Sequence, residues 1–290
     1  MRIVYHLGAH CTDEERLLRC LLKNRAALAD EGIHVPGPMR YRNLLRDTAV
    51  ALKGNTATVD TQAMVLDQIM EQDRADRLIL SWDNFLSYPQ WALRGALYPN
   101  AAERIRAFTQ IFPEIEAEFH LAIRNPATLL PELFQRQKGK SLAEFMDGVD
   151  PLRLRWSPMI AQIRALNPTV PLTIWCDEDT PLLWPEVLQA VSGHSANLVL
   201  EDTNDLLASV MTPQGLTRTL SYLSENPPAT PEIRRGILAA FLDKFVDPSK
   251  LEIELDMPGW SDDLVAEMTD VYDADIAHIR RMPGLTFLSP

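Results

Sequence analysis

The chain has 290 residues, 46% of them apolar and 23% charged, which suits one large α/β domain or two small ones and excludes a disordered or fibrous chain. A formal net charge of −12 argues against an extended surface for nucleic acid or an anionic membrane, leaving room only for a local basic pocket. Cys11, Cys20 and Cys176 are too few and too far apart for a disulfide framework or a metal knuckle, so they read as reduced thiols.

Ile3 to Leu7 is an apolar run of strand length, ended by Gly8. It lacks the features of a signal peptide, and no run approaches the roughly 18 apolar residues that cross a bilayer. The expectation is a cytoplasmic protein with no membrane or nucleic-acid partner. From Thr12 the period becomes helical: Leu17, Leu21 and Leu28 share a face, Thr12 and Glu15 have the spacing of a capping box, and Gly32 closes the helix. Ile33 to Pro36 is extended. Residues 37–60, with Pro, Gly, Asn and the basic Arg40, Arg42 and Arg46, read as a loop carrying a short helix.

A helix over 61–73 leads into a second strand, Leu78 to Ser81. A helix over 101–112 precedes a third strand, Phe119 to Ile123, which Pro126 terminates. Helical segments follow near 127–136, 141–147 and 153–166, then a fourth strand, Leu172 to Trp175, and a helix over 184–191. Residues 197–200 read as a further strand. Beyond Asp202 the pattern is mostly helical, jointed at Pro227-Pro228, and ends in Leu285-Thr-Phe-Leu288. Strands alternating with helices predict a three-layer α/β/α fold with a central, mainly parallel sheet. The chain reads as a single domain over 1–290, with the sheet core over about 1–200 and a helical extension over about 201–290.

His6-Leu-Gly-Ala-His-Cys-Thr-Asp-Glu-Glu15 has the strand, glycine turn and helix start of a phosphate-binding loop, although G-x-x-x-x-G-K-[ST] is not matched. The chain resembles the bacterial sulfotransferase-like family in this opening and in Asn24-Arg25, Leu28, Gly32-Ile33 and Pro36. Further likenesses are Arg124-Asn125-Pro126 after a strand and Trp175-Cys-Asp-Glu-Asp179, with Glu178 and Asp179 as the matching acids. Tyr272-Asp-Ala-Asp275 and the final Pro290 resemble the same group. The resemblance implies sulfuryl transfer from 3′-phosphoadenosine 5′-phosphosulfate (PAPS) to a hydroxyl of a small-molecule or carbohydrate acceptor. It implies a donor site made by Gly8, Ala9, His10, Cys11, Thr12, Asp13 and Glu14, with Arg124 on the donor's 3′-phosphate. Asp83, after the second strand, is the candidate base and His10 the next.

The departures concern charge. Cys11 stands where the family has its loop lysine, residues 13–15 are acids where it has Gly-Thr-Thr, and Glu132 stands where it has a serine eight positions after the arginine. A helix N-terminus is worth roughly 0.3–1 kcal/mol to an anion. One like-charge contact at 4 Å costs on the order of 1–4 kcal/mol. Asp13, Glu14 and Glu15 are therefore read first as a helix start, Arg124 as a possible partner of Glu132 or Asp83, and the Arg40–Arg42–Arg46 patch as a solvated face. Rival uses are a cation held by the acids with Asp83, a reactive Cys11 thiol, or a zinc trio of His6, His10 and Cys11. Two functional expectations follow: a divergent sulfotransferase, or a non-catalytic descendant that has lost PAPS. A metal-dependent transferase or hydrolase using the same cleft is a third.

Overall fold

A computed structural model describes residues 1–72, 74–137, 139–251 and 257–290. Strand β1 (Arg2–His6) is followed by α1 (Arg16–Lys23), α2 (Arg25–Asp30), β2 (Ile33–His34), α3 (Pro38–Leu52), α4 (Val59–Ile69) and β3 (Arg77–Ser81). Then come α5 (Ala101–Thr109), β4 (Glu116–Ile123), α6 (Pro126–Gln135), α7 (Leu142–Met146), α8 (Ser157–Leu166), β5 (Leu172–Cys176) and α9 (Thr180–Ser192). The C-terminal part holds α10 (Asp205–Val210), α11 (Pro213–Glu225), α12 (Pro231–Phe245), α13 (Pro248–Leu251), α14 (Asp262–Ile279) and β6 (Thr286–Phe287).

The six strands form one parallel sheet in the order β2-β3-β1-β4-β5-β6. Alternation along β1 divides the core. Ile3, Tyr5 and Leu7 face a large cluster that includes residues of α3, α5, α6, α8 and α14, whereas Val4 faces α1, α2 and α9. Both faces of the sheet are thus covered, and the fold is three-layer α/β/α. Among the described residues, no helix is long and apolar enough to cross a membrane.

Several expectations change. Thr12 is not the N-cap of α1: its hydroxyl donates to the Ala9 carbonyl at 2.8 Å. The helix begins at Arg16, where the Asp13 carboxylate accepts from the Leu17 N–H at 2.9 Å. The single helix expected up to Gly32 breaks at Asn24, whose side chain donates to the carbonyls of Cys20 (2.8 Å) and Glu201 (3.0 Å) and accepts from the Glu201 N–H (2.7 Å). That break is bought by a contact from far along the chain. The expected loop over 37–60 is mostly the 15-residue α3, which starts with Pro38 where a missing N–H costs nothing. Residues 197–200 form no strand; the edge of β5 is taken by Thr286 and Phe287 of β6 instead.

Candidate functional site

β1 lies between β3 and β4, and the loop after it crosses the carboxyl edge of the sheet, where open α/β sheets bind ligands. A cavity of about 250 Å³ opens there, lined by His6, the loop from Gly8 to Glu15 apart from His10, Arg42, Ser81, Asp83 and Arg136. A larger hollow of about 610 Å³ at the opposite edge is lined by Arg2, Glu116 and the turn before β5, and holds no comparable chemistry.

The loop is tightly shaped. Gly8 has φ +53°, and a Cβ there would lie 3.1 Å from the Cα of Asp83, so any other residue would be strained and crowded against that backbone. Cys11, Glu14 and Glu15 are also left-handed, at φ 61°, 50° and 63°, which is strained for residues with a Cβ. Among the described residues, the backbone N–H groups of Gly8, Ala9, Cys11, Thr12, Asp13, Glu14 and Glu15 donate to no protein acceptor. The donor-rich backbone of an anion loop is therefore present without its lysine.

The acids do not converge on that backbone. Asp13 caps α1, Glu14 pairs with Arg16 at 3.4 Å, and Glu15 pairs with Arg42 at 2.6 Å. Glu132 is different: its carboxylate accepts from Arg124 Nη1 at 2.6 Å and from Arg136 Nη2 at 3.0 Å. The Arg124 Nη1 also donates to the Cys11 carbonyl, and its Nε donates to the Thr128 hydroxyl at 3.0 Å. Arg124 thus ties the loop to α6 and is consumed by protein groups.

His10 does not face the cavity as a base. It is 1% exposed; its Nδ1 shares a hydrogen bond with the Tyr98 hydroxyl at 3.0 Å, and its Nε2 meets the Asn84 side-chain amide at 3.1 Å. Both ring nitrogens are used in anchoring the loop. Asp83 lines the cavity. Cys11 is buried against Glu132, and burial first and that carboxylate second push its thiol up to about 12, so it is no thiolate at neutral pH. His6, His10 and Cys11 do not make a zinc site: among the described residues no cluster of three such ligands could hold a metal. Arg42 belongs to the site, since it lines the cavity and donates to the Ser81 carbonyl at 3.1 Å; Arg40 pairs away with Glu71.

Sequence reasoning weighed His6 only as a zinc ligand and passed over Ser81, which lines the cavity with it, and Asp177. His6 Nδ1 is 2.9 Å from Ser81 Oγ, across the register pair that joins β1 to β3. The His6 ring stacks on Trp175 with centroids 6.1 Å apart, and its Nε2 is buried with no partner among the described residues. Burial lowers its pKa against the opposing pull of Asp13 and Asp83, so the ring is neutral at pH 7. Asp177, at the end of β5, is pushed up to about 7 by burial, with Glu178, Asp13 and Glu132 adding to the shift and Arg124 opposing it. The signal available in the sequence was position: each stands at, or just beyond, the carboxyl end of a buried strand. Glu178 itself is structural, accepting from the Asn125 N–H at 2.7 Å and the Tyr272 hydroxyl at 3.1 Å. No family model, curated protein or solved structure matches the chain.

The raised Asp177 carboxyl gives a signed expectation. A raised folded-state pKa means that folding loses stability as pH climbs from the ordinary carboxyl range, 3.8, through about 7. Asp177→Asn keeps the shape and removes that loss. The variant is expected to match the parent near pH 4 and exceed it at pH 8 by on the order of 2 kcal/mol, after allowing for water at the cleft. Urea unfolding at the two pH values measures the difference.

Proposed function

We propose that this chain is a sulfotransferase-like protein whose cleft no longer takes the PAPS donor and holds a smaller ligand instead. The observation that carries this reading is the Arg124–Glu132 pair. The resemblance gives Arg124 the donor's 3′-phosphate, and Glu132 is already on its guanidinium at 2.6 Å. A phosphate entering there meets a carboxylate held in place by a second arginine, Arg136, at 3.0 Å. One such like-charge contact costs on the order of 1–4 kcal/mol, and expelling Glu132 would also break its bonds to both arginines.

Support on the loop side is the lack of a cation at Cys11, although the free backbone N–H groups leave a small ligand something to bind. The cavity of about 250 Å³ is also at the low end for a bound small molecule and below what a whole nucleotide needs. A divergent sulfotransferase acting on a hydroxyl acceptor with Asp83 as base is the rival reading; it is favoured only by Asp83 lining the cavity. Titration calorimetry with 3′-phosphoadenosine 5′-phosphate, the desulfated donor, separates the two. No heat of binding up to millimolar nucleotide is expected. A micromolar Kd would overturn the proposal.

A further inference from the structure

The His6–Ser81 pair has features that holding two strands together does not require. The Ser81 backbone is already fixed: its N–H donates to the Tyr41 hydroxyl at 3.1 Å, and its carbonyl accepts from Tyr41 at 2.7 Å and from Arg42. β1 and β3 are paired along five registers. The side-chain contact adds little to that, and it comes with a cost, because His6 Nε2 is left buried without a partner. Orphaned polar atoms of this kind cluster where a ligand or a reaction supplies what the protein does not.

The surroundings match what a nucleophile needs. Ser81 Oγ lies 2.9 Å from a ring nitrogen of a neutral histidine, which is hydrogen-bond reach for proton transfer. Both residues line the cavity, as does the loop whose N–H groups from Gly8 to Asp13, apart from that of His10, have no protein acceptor among the described residues. Backbone donors of that kind stabilise a developing oxyanion. Burial is the main influence against a positive charge on His6 and His120 adds to it, while Asp13 and Asp83 favour that charge. Trp175, stacked on the ring, fixes its plane.

We infer that Ser81 is a nucleophile and His6 its general base, acting on the acyl carbon of a small ester that fits the loop cavity. In the first step Ser81 Oγ bonds to the carbonyl carbon and its proton passes to His6 Nδ1. The carbonyl π electrons move onto the oxygen, which the loop N–H groups receive. When the tetrahedral centre collapses, the bond to the alcohol oxygen breaks and that oxygen takes the proton from His6. Water, losing a proton to His6, then bonds to the acyl carbon; the bond to Ser81 Oγ breaks, Oγ takes the proton back from His6, and the acid leaves. No oxidant, metal or nucleotide enters. The inference goes beyond the loss of the donor site and does not depend on it.

Diisopropyl fluorophosphate tests it, since Ser81 Oγ would bond to phosphorus as fluoride leaves. Incubating the full chain with the probe and mapping adducts by mass spectrometry is expected to place one adduct on Ser81. His6→Gln keeps hydrogen-bonding capacity but not basicity, and is expected to slow adduct formation by about 10²–10⁴-fold while the melting curve stays cooperative. Hydrolysis of p-nitrophenyl acetate should fall in parallel. Absence of an adduct on Ser81 in the folded parent chain would overturn the inference. So would labelling of His6→Gln at the parent rate. Because the parent's own labelling site decides the matter, a variant that fails to fold does not rescue it, and nucleotide binding by the parent would leave it untouched.

Discussion

Arg77→Met is expected to cost about 3–5 kcal/mol of folding free energy. Arg77 opens β3 with its guanidinium beneath α9. There it donates to Glu118 Oε1 at 2.6 Å and Oε2 at 3.0 Å, and to the Val191 and Ala190 carbonyls at 3.0 and 3.1 Å. It therefore spans β1 to join β3 to β4, and reaches the C-terminal end of a helix, whose dipole favours a cation there. Glu118 meets His120 Nε2 at 2.7 Å as well. Burial alone would raise the Glu118 carboxyl, but the bonds from His120 and Arg77 outweigh it and hold it down at about 2. Without Arg77 a buried carboxylate and two helix-end carbonyls lose their main partner.

The sign with pH follows from that depressed value. Glu118 contributes stability above the ordinary carboxyl range, 4.5, and the contribution is lost as pH falls toward about 2. Guanidinium unfolding at pH 7 should show the full loss in Arg77→Met, with a melting temperature lower by roughly 10 °C. Pairing the substitution with Glu118→Leu is expected to restore much of it, because the uncompensated charge goes with its partner. A double variant as weak as the single one would contradict this account of the network.

Asp275→Ala is expected to cost about 2–4 kcal/mol, through unpaired donors rather than lost charge. Asp275 is 4% exposed on α14, and its Oδ2 accepts from the N–H groups of Trp156 (2.6 Å) and Ser157 (3.2 Å), while the Ser157 hydroxyl donates to Oδ1. A carboxylate from one helix thus satisfies the start of another, α8, and complements its dipole. Trp156 in turn donates its indole N–H to the Arg124 carbonyl at 2.9 Å, which links this cap to the cleft. Asp275→Asn retains an acceptor and should lose less than half as much. Thermal unfolding of the two variants side by side checks the ranking; equal losses would mean that the charge, not the hydrogen bonding, matters.

What the sequence disclosed, and what it hid, divides by range of interaction. β1, β3, β4 and β5 are buried on both faces, so their apolar runs stand out, and a parallel sheet followed from their alternation with helices. α3 was obscured by Pro38 and three arginines, although Tyr41 and Leu45 are spaced one turn apart and both are buried. The break at Asn24 and the fate of residues 197–200 depend on residues about 177 positions away and on β6 respectively, so no local pattern contains them. At the site, Arg124 and Glu132 were singled out because the family resemblance marks an arginine after a strand and a position eight residues later. His6 and Ser81 are 75 residues apart and meet only through strand register. His10 was misjudged because nothing local tells that Tyr98 and Asn84 will hold both its nitrogens.

In the function proposed here the Arg124–Glu132 pair closes the donor site, and calorimetry of the parent chain and Glu132→Ser with 3′-phosphoadenosine 5′-phosphate tests that most directly. The account predicts no binding to the parent at millimolar nucleotide. For Glu132→Ser, which takes the carboxylate off the Arg124 guanidinium, it predicts measurable binding, at least about tenfold tighter than the parent's limit. Micromolar binding to the parent, no tighter in Glu132→Ser, would contradict it.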